Sequence, residues 1–348
     1  MTAQRADFEF PEAPSDNEGA SSFIFPPTER NLSKAVEILL AGGLVAIPTE
    51  TVYGLAANAL DQNACKSIFE LKGRPLIDPL IVHLGSIKAI STIAELNATA
   101  RLLAETFMPG ALTLVLPKKN CVPEIVTAGK PTVAVRFPSH PVFQELMAHN
   151  APPLAAPSAN PFGYVSPSRA LHVLDSFPKA NLPILDGGAC EIGIESTIVD
   201  VSDERRPRLL RYGNIPKFEL EEALKTKLLS PPEISPKEQE QPLSAPGLLD
   251  RHYSPTKPAR LIDYEGLCDI TGVETARVFL AKPTSLALRS TGDYWLSEAG
   301  NPAETQRNLY HLLRTLDRDP KWQSIFIEKP TSIASFDALR DRLNRATK

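Results

Sequence analysis

The sequence predicts an α/β (α+β) protein: a large sheet with helices, joined by a proline-rich linker to a small α/β domain at the C-terminal end. Three observations lead there. Apolar stripes at helical spacing alternate with short buried-strand patterns along the first part of the chain. Prolines are crowded, 33 in 348 residues or about 9% against a usual ~5%, with a dense block between 217 and 258. Hydrophobic residues at 43% and charged residues at 22% are the proportions of a chain that buries a real core.

The elements follow in order. Residues 1–27, acidic and holding four prolines, read as a disordered tail. Leu32, Val36, Leu39 and Leu40 recur at helical spacing, Gly42-Gly43 ends that helix, and Leu44-Val45-Ala46-Ile47 follows as a buried strand. A second helix starts at an Asp61 N-cap, carries Ala64, Ile68 and Leu71 on one face, and stops at Gly73. Strands are predicted at 80–82, 113–116, 132–137, 154–156, 196–201 and 209–211. The first domain therefore spans 28–216. The segment 217–258 holds Pro231, Pro232, Pro236, Pro242, Pro246, Pro255 and Pro258 beside the charged run 237–241, the composition of an extended, semi-stiff linker. The last domain, 259–348, pairs strand signals at 277–281, 285–288 and 324–327 with a helix whose Leu309, Leu312, Leu313 and Leu316 fall at i, i+3, i+4 and i+7.

Several function classes drop out. No apolar run approaches the roughly 20 residues that span a bilayer, and the acidic start has no apolar signal core, which predicts a cytoplasmic protein without a membrane partner. Lys plus Arg at 37 against Asp plus Glu at 41 gives a net charge of -4, so any basic site must be local. The four cysteines, Cys65, Cys121, Cys190 and Cys268, are too far apart for a zinc ribbon or a redox pair and read as isolated thiols. The P-loop, the dinucleotide-binding turn, the zincin helix and the hydrolase elbow are all missing from the sequence.

Five polar clusters remain. Pro48-Thr49-Glu50-Thr51-Val52-Tyr53-Gly54-Leu55 follows a buried strand, where α/β folds build ligand loops, although Thr and Glu capping a helix would look the same. Lys72-Gly73-Arg74-Pro75 ends a helix, so an anion there must be held by the side chains themselves; Asp78 and His83 follow. In strand 132–137 the period of two puts Thr132, Ala134 and Arg136 on one face, and a guanidinium in apolar surroundings needs an anion, from a carboxylate or a ligand. The small residues Ala155-Ala156-Pro157-Ser158-Ala159-Asn160 and then Ser166 let a ligand approach the backbone, or form a plain turn. Asp186-Gly187-Gly188, Gly193, Glu195-Ser196-Thr197 and Arg211-Tyr212-Gly213 complete the set.

Together and in this order, the clusters resemble the YrdC-like threonylcarbamoyl-AMP synthases, in their long two-domain form, which implies a twisted open sheet with helices in the first domain and a Rossmann-like α/β C-terminal domain. The likeness runs from about Thr28 to Ile215, through Ala245-Pro246-Gly247 and Arg251-His252-Tyr253-Ser254-Pro255, and more loosely to Lys348. The combination of Pro-Thr-Glu-Thr-Val-Tyr-Gly-Leu, Lys-x-Arg-Pro, Ser-x-Asn and Gly-x-Glu-Ser-Thr is specific where each piece alone is not. The resemblance implies that L-threonine, bicarbonate and ATP give threonylcarbamoyl-adenylate and pyrophosphate, and that a downstream tRNA threonylcarbamoyl transferase complex uses the product on tRNA. It implies a threonine site of Thr51, His83, Arg136, Ala156 and Ser196. It implies ATP contacts from Arg74, Asp78, Thr132, Ser158, Asn160, Ser166, Arg211 and the linker's Tyr253, with Lys72 and Arg74 as the catalytic cations and Mg²⁺ accompanying ATP. Ile77, Tyr212 and Leu248-Leu249-Asp250 depart from the usual pattern of the family.

The chemistry suits those residues. Triphosphate, bicarbonate and threonine carboxylate must meet in one cavity, and only concentrated positive charge offsets their repulsion. Carbamate formation and attack on the α-phosphorus leave the protein little beyond positioning and neutralisation, so no nucleophile is assigned. Carbamates and mixed anhydrides hydrolyse, so a stiff linker carrying His252 and Tyr253 is suited to act as a lid. Two alternatives stand beside this: an RNA-binding YrdC-like module with weak, salt-sensitive affinity, and a carbamoyl-transfer domain.

Overall fold

The computed structural model describes residues 23–232, 241–249, 252–283 and 292–348. Ten strands form the first sheet: β1 (Ile24–Phe25), β2 (Val45–Ile47), β3 (Gly54–Asn58), β4 (Ile81–His83), β5 (Leu112–Pro117), β6 (Thr132–Arg136), β7 (Leu154–Ala155), β8 (Ile184–Leu185), β9 (Thr197–Asp200) and β10 (Arg208–Arg211). Their order is β1-β8-β2-β3-β7-β4-β6-β5-β9-β10. Four neighbouring pairs are parallel and the others antiparallel, so the sheet is mixed.

Local chemistry explains the flanking helices. Thr28 caps the helix Glu29–Leu40 by accepting from the Asn31 amide, and Leu32, Ala35, Val36 and Leu39 turn inward against Val142, Phe143 and Leu146 of the helix Pro141–Ala148. Each such leucine contributes about 2 kcal/mol on leaving water. Asp61 caps Gln62–Lys72 by accepting from the Asn63 and Ala64 amides, and Gly73, at φ +62°, ends it in the left-handed conformation that favours glycine. All four cysteines are free.

Three differences from the sequence reading have simple causes. β3 occupies part of what reads as a ligand loop: its Gly-Leu-Ala-Ala-Asn composition carries little β propensity, yet Ala56 and Ala57 are buried in different clusters because small side chains let layers close on both faces. The predicted tail includes β1, which pairs with β8 and buries Phe25; residues 1–22 lie outside the described residues. The first part of the predicted extended linker is the helix Lys217–Leu224, which buries Leu220 in the largest core; the crowded prolines begin only at Pro231. Most of the charged run 237–241, the pair Asp250-Arg251 and the predicted strand 285–288 also lie outside the described residues.

Beyond that helix, Leu243, Ala245 and Leu248 pack on Ile81, Val115, Ala134, Ile198 and Leu210, so linker residues cover the sheet face that carries Ala134 and Arg136. The Leu243 amide donates to the carbonyl of Ile77. The second sheet contains β11 (Ala259–Ile262), β12 (Thr275–Ala281), β13 (Asp293–Ser297) and β14 (Ser324–Glu328), all parallel, in the order β11-β14-β12-β13. On the helix Pro302–Arg318, Leu309, Leu313 and Leu316 are buried as their spacing requires, while Leu312 is half-buried. Tyr310, Arg314 and Asp317 on the same helix are buried as well, because that stripe faces the first sheet's loops. Val52, Val165, Ile194 and Tyr253 share one core cluster with Leu309, Leu313 and Leu343.

Candidate functional site

Matched register brings the first functional side chains together. His83 at the end of β4 pairs with Arg136 at the end of β6, and Arg136 pairs with Thr113 of β5. Arg136 donates from Nη1 to Thr51 Oγ1 (2.8 Å) and from Nε to the Gly110 carbonyl (3.3 Å), and its Nη2 lies 2.8 Å from Glu50 Oε1. Glu50 is thus a carboxylate partner of the guanidinium, which also stands on the cavity wall. The turn joining β2 to β3 is tied by Thr49, whose hydroxyl accepts from the amides of Thr51 and Val52. Burial, then the charge of Arg136, holds His83 down at about 3, so its imidazole is neutral at physiological pH.

Arg74 and Arg211 bring two more cations to the same cavity. Arg74 donates to the carbonyls of Asp78 (3.0 Å) and Pro79 (2.7 Å) and pairs with the Asp78 carboxylate at 3.0 Å. Arg211 donates to Ser196 through its carbonyl (3.1 Å) and hydroxyl (3.2 Å), and to the Pro246 carbonyl (3.3 Å). It makes no ion pair within 4.0 Å among the described residues. Pro246, Gly247, His252 and Tyr253 close one side of the cavity. Burial holds His252 at about 3, and its ring packs edge-on against Tyr253 at 4.1 Å.

The cavity wall therefore unites Thr51, His83, Arg136, Ala156 and Ser196 with Arg74, Ser158, Arg211 and Tyr253. The other predicted residues stand outside it. Lys72 is buried beneath the loop after β7 and donates from Nζ to the carbonyls of Ser158 and Asn160, both at 2.5 Å. Burial and then Arg74 push its ammonium well below the usual lysine range. Asp78 backs Arg74. The Asn160 amide ties its own loop through the carbonyls of Pro161 and Tyr164. Ser166 donates to Glu195 at 2.6 Å. Thr132, half-buried, starts β6 and so lies about 13 Å along the strand from Arg136.

Glu195, the carboxylate on the cavity wall, is missing from the sequence-derived site, although the Gly-x-Glu-Ser-Thr motif contains it. Its carboxylate accepts from Ser166 Oγ (2.6 Å), Tyr310 Oη (2.8 Å) and Arg342 Nε (2.7 Å). Burial alone would raise its pKa; Arg342, Arg211 and the hydrogen bonds outweigh burial and hold it at about 2. Among the described residues no group of three His, Cys, Asp or Glu side chains could hold a metal ion, and Glu50, Asp78 and Glu195 each face an arginine.

The Sua5/YciO/YrdC family, whose model is described as telomere recombination, matches residues 37–213. The model of the threonylcarbamoyl-AMP synthase C-terminal domain matches residues 215–347. Over 292 residues, 82% of this chain and 84% of the relative, the sequence is 41% identical to the threonylcarbamoyl-AMP synthase of Pyrococcus abyssi. It is 40% identical over 237 residues to that of Bacillus subtilis, covering 67% of this chain and 66% of the relative. The crystal structure of Pyrococcus abyssi Sua5 complexed with L-threonine superposes with a TM-score of 0.83 at 36% identity, over 92% of this chain and 95% of that one. Motifs, fold and both halves of the chain agree: this protein belongs to the threonylcarbamoyl-AMP synthase family.

Proposed function

We propose that the chain converts L-threonine, bicarbonate and ATP into threonylcarbamoyl-adenylate and pyrophosphate. The observation that carries this is the convergence of Arg74, Arg136 and Arg211 on one hydroxyl-lined cavity, with Arg211 lacking an ion pair among the described residues. Such a wall suits a cavity in which several anions meet. The threonine amine attacks the bicarbonate carbon and water leaves. The resulting carbamate oxygen attacks the α-phosphorus as the bond to the β-phosphate breaks, releasing pyrophosphate.

In this reading Arg136 receives the threonine carboxylate, with Thr51, Ser196 and neutral His83 offering hydrogen bonds and Ala156 leaving space. Arg74, Arg211, Ser158 and Tyr253 meet ATP, and Thr132 contacts its far end. Lys72, Asp78 and Asn160 act one layer back, holding Ser158 and Arg74. Magnesium arrives on the ATP phosphate oxygens, as substrate, since Glu195 on the cavity wall and Glu50 and Asp78 behind it are already matched with arginines. Pro246-Gly247 and His252-Tyr253 exclude water from the hydrolysable intermediates. The product passes to a transferase complex acting on tRNA, in the cytoplasm; no described helix is long and apolar enough to cross a membrane.

Pyrophosphate release from purified protein tests the reading. Release should require ATP, threonine and bicarbonate together. Release indifferent to threonine or to bicarbonate would sink it.

A further inference from the structure

We propose that Tyr310, Arg314 and Arg342 are positioning residues for the ATP side of the cavity, acting through Ser166 and Glu195. The inference rests on the functional reading above and extends it to the C-terminal helices, none of whose residues lines the cavity.

All three side chains are buried, on the helices Pro302–Arg318 and Asp337–Ala346. Arg314 donates from Nη2 to the Val165 carbonyl (2.6 Å), from Nε to the Ser166 carbonyl (3.2 Å) and from Nη1 to the His172 carbonyl (3.0 Å). The backbone on either side of Ser166 is thereby fixed to the C-terminal part. The Ser166 hydroxyl is fixed as well, because Glu195 accepts its hydrogen bond while also accepting from Tyr310 and Arg342. Arg342 donates further to the Tyr212 carbonyl at 3.0 Å, next to Arg211. Backbone, hydroxyl and carboxylate at one cavity corner are thus held from outside it.

A carboxylate with three donors is oriented rather than merely neutralised. Removing one donor lets Glu195 turn within the wall beside Ser196 and Arg211, which moves the charge that an ATP molecule would meet and frees the Ser166 hydroxyl behind that wall. Small displacements of this kind cost rate and affinity steeply. A general packing role would instead lower stability without distinguishing between substrates.

Two variants of the full chain decide the matter: Tyr310→Phe, which keeps the ring and removes one hydroxyl, and Arg314→Lys, which keeps the charge and removes the fork. Melting temperature and the KM values for ATP and threonine are measured by unfolding and pyrophosphate release. The expected result is a KM for ATP raised about 10-fold in Tyr310→Phe and more in Arg314→Lys, with the KM for threonine changed less than about 2-fold and melting in Tyr310→Phe lowered by only a few degrees. Unchanged kinetics in both variants would overturn the inference, as would equal changes for the two substrates that follow the loss of stability. Wild-type protein lacking threonine-dependent release would instead refute the underlying reading, which separates the two failures.

Discussion

The guanidinium of Arg342 lies 5.0 Å from the ring centroid of Tyr253. That pair joins the linker to the last helix. A second neighbour of the ring is Tyr310, stacked at 5.8 Å with an interplanar angle of 23°. Tyr253 has a φ of +64°, a conformation costing a non-glycine residue about 1 kcal/mol or more, so packing on these two side chains must hold it. Among the described residues its hydroxyl has no hydrogen-bond partner. Tyr253→Phe is therefore expected to melt like wild type while raising the KM for ATP; Tyr253→Ala should lose about 3 kcal/mol of stability as well. Denaturant unfolding and steady-state kinetics distinguish the two effects, and a Phe variant with wild-type kinetics would remove the hydroxyl from the site.

Gly247 gives an independent test of the lid. At φ +76°, an added Cβ would stand 2.6 Å from Tyr253 Oη and 3.1 Å from Arg211 Nη1. Gly247→Ala should push the linker off the cavity and lower kcat/KM about 10- to 100-fold, with a smaller effect on melting. Wild-type turnover in this variant would mean the linker only tethers.

Lys72 should behave as a strut. Lys72→Met leaves the buried carbonyls of Ser158 and Asn160 without their donor, at a cost of about 2 kcal/mol or more. ATP affinity should fall together with melting temperature, through the displaced Ser158 loop. A large loss of kcat at unchanged stability would instead give Lys72 a direct part in the chemistry.

Arg136 is held between Thr51 and Glu50. Glu50→Gln keeps the shape but removes the charge opposite the guanidinium, and breaking a buried pair in this way costs about 3 kcal/mol or more. Threonine binding should weaken at least 10-fold as Arg136 leaves its register position, measurable by calorimetry without ATP. Unaltered affinity would show that Thr51 and Gly110 suffice to hold Arg136.

Acid should destabilise the fold through its histidines. His83, His172 and His252 are held at about 3, chiefly by burial, against about 6.5 when unfolded. Unfolded chains then bind more protons, so the stability is complete above about pH 6.5 and declines as pH falls toward 3. Through these three histidines, unfolding at pH 5 should take up just under about three protons more than at pH 8, read from the slope of stability against pH. A flat profile between pH 5 and 7 would contradict the assigned burial.

Local signals carried much of the fold into view. The Asp61 and Gly73 helix ends and the alternation in β6 depend on near neighbours only, so one sequence displays them. Of the residues assigned to the site, Arg136, Arg74 and Ser196 do meet in one cavity, since each stands at or beside an element end. β3 escaped because its alanines are selected by the closeness of two layers, and the helix Lys217–Leu224 because proline density was averaged over a block whose start has none. Glu195 was visible as a motif residue but its orientation was not, because its donors come from the distant positions 310 and 342.

The sequence by itself determined the family, the class of sheet and the residue types of an anion-binding cavity, because those follow from motif order, periodicity and charge. Only the tertiary structure decided which cations face the cavity, that Lys72 stands behind Ser158, and that the C-terminal helices hold Ser166 and Glu195. The physical reason is that a buried polar group takes whichever partner long-range packing brings within hydrogen-bond distance, and no local pattern records that choice.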